Sequence, residues 1–166
     1  MRQSHLTSVD TRYWRMMFKS WAKDILGPAR SPEGRSHYKG QVALYLSETP
    51  QGCIIASQRY IMPDDEPRAI YPIRVVSDRL LDLRDAKATG YFDVDTKHRT
   101  VEWQKIRATG APSPTWAISD NIRSLGLHGM LYASRSQPNL THLTLFDWNN
   151  KTGATVMADD SACDWP

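Results

Sequence analysis

Residues 34–57 read GRSHYKGQVALYLSETPQGCIIAS: a turn, a strand and the capped start of a helix in one run. Between residues 41 and 47 the side chains alternate. Val42, Leu44 and Leu46 share one face, and Ala43, Tyr45 and Ser47 share the other. The first face is expected in the core. The second brings a phenol and a hydroxyl together, turned to solvent or to a second layer. Thr49-Pro50 reads as an N-cap followed by the first helical residue, and Cys53, Ile54 and Ile55 are expected to bury that helix. Arg35 lies ten residues before Tyr45, across a turn that Gly40 permits. If the turn folds back, a guanidinium, a phenol ring and a helix N-terminus share one pocket. That set suits an anion joined to an aromatic cation: arginine and free N–H groups hold phosphate, and a tyrosine ring stacks on the cation.

Outward from this stretch, the chain has the length and balance of one globular domain: 166 residues, 40% hydrophobic and 23% charged. No run approaches the roughly 18 apolar residues of a membrane span, and the first ten residues lack an apolar leader, so the expectation is a cytoplasmic protein with no membrane partner. Cys53 and Cys163 make no disulfide framework. Neither has a ligand-spaced neighbour, so no metal site is expected. Residues 1–40 carry eight Lys or Arg against Asp10, Asp24 and Glu33, while residues 147–166 carry one Lys against four Asp. A basic first quarter can favour a phosphate-bearing ligand or an acidic partner, but a solvated basic helix is the simpler explanation. It is too sparse to predict direct nucleic-acid binding.

Residues 1–10 are expected to be loosely attached. Residues 11–26 open as a short strand with Arg15 facing a pocket, then take helical spacing from Phe18 through Trp21 to Ile25, stopped by Gly27-Pro28. Residues 30–39 form a polar loop of the kind that carries function. Residues 63–67 are an acidic break, and residues 69–76 a strand that Pro72 assigns to an edge or bulge. A short strand is expected over residues 91–94. Ser113 or Thr115 caps a helix with Ile118, Ile122 and Leu125 on one face, ended by Gly126. Residues 128–134 and 141–147 are paired strands, followed by an edge strand and a loose acidic tail from residue 159. The class is α+β.

The pattern resembles the RES domain, the toxin half of RES–Xre toxin–antitoxin pairs. The residues that carry the resemblance are Tyr13-Trp14-Arg15, Gly34-Arg35, Leu44-Tyr45-Leu46-Ser47, Thr49-Pro50, the run from Gly129 to Arg135 and the stretch from Asn139 to Phe146. They span most of the chain in the family's order. The resemblance implies a compact single domain of split, mainly antiparallel sheets with flanking helices, like an ADP-ribosyltransferase, with NAD in a cleft between the sheets. The family arginine falls on Arg35, its tyrosine on Tyr45 and its serine on Ser134. Its glutamate falls on Ala56, followed by Ser57.

The implied site takes NAD as substrate, with Arg35 and Tyr45 as catalytic residues and Arg15, Ser47, Ser134 and Trp116 as further NAD contacts. Arg35 suits the phosphate or ribose side and Tyr45 the nicotinamide. The plain alternatives are a surface arginine, a half-buried strand tyrosine, a turn serine at 134 and a core tryptophan at 116. His37 and Tyr38 sit where they can line the entrance. Ala56 cannot bind a ribose hydroxyl or stabilise positive charge. Either another acid enters from a distant loop, or the reaction tolerates the absence, or activity is lost. The functions in play are ADP-ribose transfer to a cellular protein, NAD degradation by water or phosphate, and a binding module that holds an Xre-type antitoxin.

Overall fold

The computed structural model describes residues 2–159 and 162–164. Its frame is two long antiparallel strands, β1 (Thr7–Phe18) and β3 (Arg68–Asp82), in register from Thr7 opposite Leu80 to Phe18 opposite Arg68, with an irregularity between Thr7 and Val9. Three shorter strands complete a ring with them: β2 (Leu44–Ser47), β4 (Gly129–Ala133) and β5 (Thr141–Leu145). The order is β1-β2-β5-β4-β3, and β1 pairs again with β3, so the sheet closes on itself. Pairing is antiparallel except between β3 and β4. Two short strands, β6 (Thr155–Ala158) and β7 (Cys163–Asp164), pair with the other side of β3. The α+β class holds. The split sheets of the family expectation are here joined into one hydrogen-bonded network, with β1 and β2 meeting at Trp14 and Ser47.

Every strand of the ring feeds one apolar cluster, including Tyr13, Leu44, Leu46, Ile73, Val75, Leu131, Leu143 and Leu145. The opposite face of β4 and its flanks packs against the second and fourth of the four helices, while the first lies against β1 and β2 and the third buries no residue. α1 is Pro50–Ser57, α2 Ala86–Tyr91, α3 Trp103–Ala108 and α4 Thr115–Ser124. Ala88, Phe92, Ile118, Ile122 and Met130 form the heart of this second cluster. β5 runs between β2 and β4 with the ring cluster on one face, and every one of its residues is buried.

Several expectations are corrected. Val42 is 48% exposed, because the strand starts at Leu44 and Val42 still belongs to the turn that Gly40 (φ 93°) makes possible. Residues 7–10 are not loose, being strand residues of β1, and Arg2 donates to the Leu125 carbonyl at 2.6 Å. The helical spacing after Phe18 becomes a short 3-10 helix, Lys19–Asp24. Pro72 sits within the long β3 and not at an edge. Its carbonyl accepts from Asp159 N–H at 3.1 Å, so its missing N–H faces the junction between β6 and β7, where no ladder bond is lost. Residues 91–94 are not a strand. Asp85 caps α2 by accepting from Lys87 N–H and Ala88 N–H, and Asp93 (φ 54°) turns the chain out of it. Ile54 and Ile55 are only half-buried, and Cys53 is the α1 side chain that reaches the core. The expected loose tail is contradicted at Asp159, which also pairs with Arg12 at 2.9 Å, and at β7; residues 160–161 and 165–166 lie outside the described residues, as does the Cys163 side chain.

Candidate active-site cleft

Strand pairing decides what the polar face of β2 meets. Tyr45 lies opposite Thr144, and Ser47 opposite His142, which also lies opposite Tyr132 on β4. The three central strands thus present Tyr45, Ser47, His142 and Tyr132 side by side, while Leu44, Leu46, Leu143 and Leu131 fill the ring behind them. Above this floor lies a cleft of about 570 Å³, walled by the end of β1, by α1 and by the loop that carries Arg35. That volume lies within the usual range for small-molecule sites.

The Arg35 loop is held from α4. Thr115 Oγ1 donates to the Arg35 carbonyl, Trp116 Nε1 to the Gly34 carbonyl at 2.8 Å, and Arg123 Nη2 to the carbonyls of Ser36 and Val42 at 2.9 and 3.0 Å. Asp120 accepts from the Tyr38 hydroxyl at 3.0 Å and from Gln41 Nε2 at 2.7 Å. The guanidinium of Arg35 is aimed by the chain beyond α2: Nη1 donates to the carbonyls of Arg99 and Val101 at 3.1 and 3.0 Å. Its other nitrogens remain for the cleft.

Tyr45 is the second anchor of this loop. His37 Nε2 sits 2.8 Å from the Ser31 carbonyl, which can only accept, so Nε2 carries the proton. In the neutral ring Nδ1 then accepts from the Tyr45 hydroxyl at 2.8 Å, and that hydroxyl accepts from Ser36 N–H at 2.9 Å. The ring of Tyr45 faces the cleft while its hydroxyl is committed to the loop, and burial pushes the phenol well above its ordinary pKa. Gly34 makes the clamp possible, since a Cβ there would fall 2.6 Å from both the Tyr45 hydroxyl oxygen and His37 Cε1.

Arg15 lies on the same cleft. It is buried, and its Nη1 donates to the carbonyls of Ile25 and Gly27 at 2.6 and 2.7 Å. Burial, and then the neighbouring Arg30, lowers its pKa to about 10. Burial also lowers the pKa of Arg35. Among the described residues neither cation has a carboxylate partner: both rest on carbonyls, an arrangement that leaves them short of negative charge. Arg30, Arg59, Arg68 and Arg135 add to the wall. Among the described residues the acid on that wall is Glu33, and both its oxygens are taken by Arg107 at 2.9 and 3.0 Å.

Of the sequence-derived residues, Arg15, Arg35, Tyr45, Ser47 and Ser134 line this one cleft, with His37 beside them. Ser134 lines the cleft, and its hydroxyl accepts from Gln137 N–H at 3.4 Å to hold the following turn. Trp116 is corrected. It stands behind the loop as a brace, with Arg107 over its ring at 5.1 Å, and is not part of the wall. The free N–H end of α1 is not on the wall either: Thr49 caps it by accepting from Gly52 N–H, and the helix instead presents Cys53, Ile55, Ala56 and Ser57. Ala56 is exposed there, outside the core.

His142 and Tyr132 escaped the sequence reading. Their alternation was visible, but only the pairing of β5 between β2 and β4 puts them on the cleft floor. The imidazole is buried, with Nδ1 2.8 Å from Ser47 Oγ and its ring 5.6 Å from that of Tyr132. Burial, and then the charge of Arg35, lowers its pKa from 6.5 to about 4. The unfolded chain therefore binds more protons here between pH 4 and 6.5. This contribution to stability is full above pH 6.5 and is lost as pH falls towards 4, to the extent of about 3 kcal/mol. Urea midpoints at pH 7 and 4.5 are expected to differ less in His142→Gln than in the wild type; an equal difference would remove His142 as a source of acid sensitivity.

The model of the RES domain matches residues 12–166. No match is found among curated proteins. Among solved structures, a chain of the M. tuberculosis MbcT–MbcA toxin–antitoxin complex is similar in fold, with a TM-score of 0.59 and 14% identity over 99% of this chain and 90% of that one.

Proposed function

The chain belongs to the RES-domain family, and from that premise we propose that it is the toxin of a toxin–antitoxin pair, an enzyme that binds NAD, expels nicotinamide and transfers ADP-ribose to a cellular protein. The observation that carries this reading is one cleft in which a buried arginine, Arg15, and a half-buried one, Arg35, neither with a carboxylate partner among the described residues, flank an upturned tyrosine ring. Arg35 and Arg15 hold the pyrophosphate, the first with the nitrogens its carbonyl contacts leave free. The ring of Tyr45 stacks on the cationic nicotinamide. Ser47 and Ser134 meet ribose hydroxyls or the carboxamide. The bond from ribose C1′ to the nicotinamide nitrogen breaks with its electron pair going to nicotinamide, which leaves neutral, and a nucleophile of the acceptor protein closes on C1′. Orientation and charge complementarity supply the acceleration. With Ala56 in the glutamate position and Glu33 engaged by Arg107, the wall offers no free carboxylate to activate water, which favours an acceptor that brings its own nucleophile and binding energy.

Labelled NAD incubated with the protein and cell lysate tests this. Free nicotinamide together with labelled protein is the expected result. Nicotinamide without labelled protein would move the activity to NAD degradation, and neither product would leave a binding module. The partner we propose is an Xre-type antitoxin that covers the cleft. Co-expression of the two-gene locus is expected to yield a complex whose labelling by NAD is suppressed; equal labelling with and without the partner would count against occlusion.

Ala56→Glu is a direct probe of the wall. Because Ala56 is exposed on the cleft, a carboxylate there meets solvent or ribose, and stability should change by less than about 0.5 kcal/mol. Nicotinamide release by water is expected to rise. A strongly lowered melting temperature would contradict the placement of Ala56 on the wall.

A further inference from the structure

The cleft floor holds a buried imidazole to which the proposed mechanism gives no task. His142 Nδ1 is held by Ser47 Oγ at 2.8 Å, and Tyr132 packs on the ring from β4. Ser47 and Tyr132 fix the imidazole from both sides, so its orientation is set before any ligand arrives. Among the described residues no group hydrogen-bonds its other nitrogen, Nε2, and the residue lines the cleft. Here it sits beside the guanidinium that lacks a carboxylate partner.

We propose that His142 is a direct contact of the anionic substrate through Nε2, and that it takes up a proton as that substrate binds. The proposal rests on the reading that an anionic dinucleotide occupies the cleft. The charged and titratable groups around the ring are Arg35 from the loop, Tyr132 from β4, Tyr45 from β2 and, through Ser47, Cys53 from α1. The two phenols and the thiol are all neutral, since burial raises their pKa values. Arg35 is thus the charge that opposes an imidazolium, together with the loss of water around the ring. A bound pyrophosphate neutralises Arg35 and supplies an acceptor, so both the repulsion and the unmade hydrogen bond turn in favour of the charged ring. The free ring, with a pKa of about 4, is neutral near pH 7. A pKa raised by binding means proton uptake, and affinity that grows as pH falls towards the free value, by up to about tenfold per pH unit. The protonated ring carries an N–H on both nitrogens, so Nε2 donates to an oxygen anion whichever tautomer the empty site holds, and with a full positive charge behind it.

Titration calorimetry with ADP-ribose and with NAD, in buffers of different ionisation enthalpy at pH 6 and 7.5, tests this. The wild type is expected to take up a fraction of a proton per ligand and to bind more tightly at pH 6. His142→Gln is expected to bind more weakly at pH 6, with the uptake gone. Imidazole signals of the wild-type protein give a second measurement that needs no variant. One signal that does not respond between pH 5.5 and 8 in the free protein is expected to move to the imidazolium position on saturation with ADP-ribose. Binding without proton uptake, uptake that persists in His142→Gln, or no imidazolium shift would each overturn the proposal while leaving NAD in the cleft. Absence of any binding by either ligand would overturn the dinucleotide reading itself, and this inference with it.

Discussion

Arg35→Ala is expected to lower nicotinamide release by on the order of 100-fold to 1000-fold and to relieve any growth arrest that the wild-type chain causes, while the protein still folds. The size follows from the role. A planar guanidinium that meets two oxygens of a pyrophosphate is worth more than one ordinary hydrogen bond, and a site without a carboxylate has little else to orient the ligand. The fold survives because the side chain's protein contacts are two carbonyls, Arg99 and Val101, the first of them in an exposed residue that water can serve. Losing them costs about 1 kcal/mol. The loop's path is set independently by Thr115, Trp116 and Arg123. Arg35→Lys should be nearly as inactive, because one ammonium cannot reach those carbonyls and also present a second nitrogen to the ligand. Nicotinamide release and a melting curve on each variant decide the matter. Full turnover in a folded Arg35→Ala protein would remove Arg35 from the site.

What could be read from residue order was local. The cap at Thr49, the stop at Gly126 and the alternation through Tyr45 are short-range signals, and the structure has all three. The ring closure was not legible. Nothing in the composition of β1 says that it pairs with β2 at one end and with β3 along its whole length. That closure puts Arg15 on the cleft wall. α2 was hidden because its cap, Asp85, sits in a run of charged residues that reads as a loop, and its two buried side chains, Ala88 and Thr89, are small. Trp116 was misplaced for a related reason. A tryptophan opening a helix serves equally well as a wall or a brace, and only its 2.8 Å bond to the Gly34 carbonyl tells which. Glu33 was visible in the basic first quarter as one of its few acids. Its engagement by Arg107 is a contact across 74 residues that no spacing encodes.

Tyr45→Ala is expected to combine a large loss of stability with loss of NAD binding, and its comparison with Tyr45→Phe separates the ring from the hydroxyl. Stacking on the nicotinamide, the role the residue order assigns to Tyr45, needs the ring and not the hydroxyl. The structure gives the hydroxyl a task as well, because it accepts from Ser36 N–H and donates to His37 Nδ1, so it ties β2 to the loop that carries Arg35. Phenylalanine keeps the ring but leaves both partners without a bond in a site that water does not easily reach. His37 is 2% exposed and Ser36 fully buried. An unsatisfied buried donor costs about 1–3 kcal/mol. Alanine forfeits that bond and also the ring's packing on the second cluster, for about 3–5 kcal/mol in all, or a melting temperature lower by roughly 10 °C in a chain of this size. Binding should divide differently. Phenylalanine can still stack on nicotinamide, so its defect should lie in how firmly Arg35 is presented and should show as weaker binding of ADP-ribose, which has no nicotinamide. Alanine should lose NAD and ADP-ribose binding together. If Tyr45→Phe melts with the wild type, the clamp contributes nothing and Gly34 has no reason to lack a side chain; if Tyr45→Ala binds NAD normally, the ring is not the stacking surface.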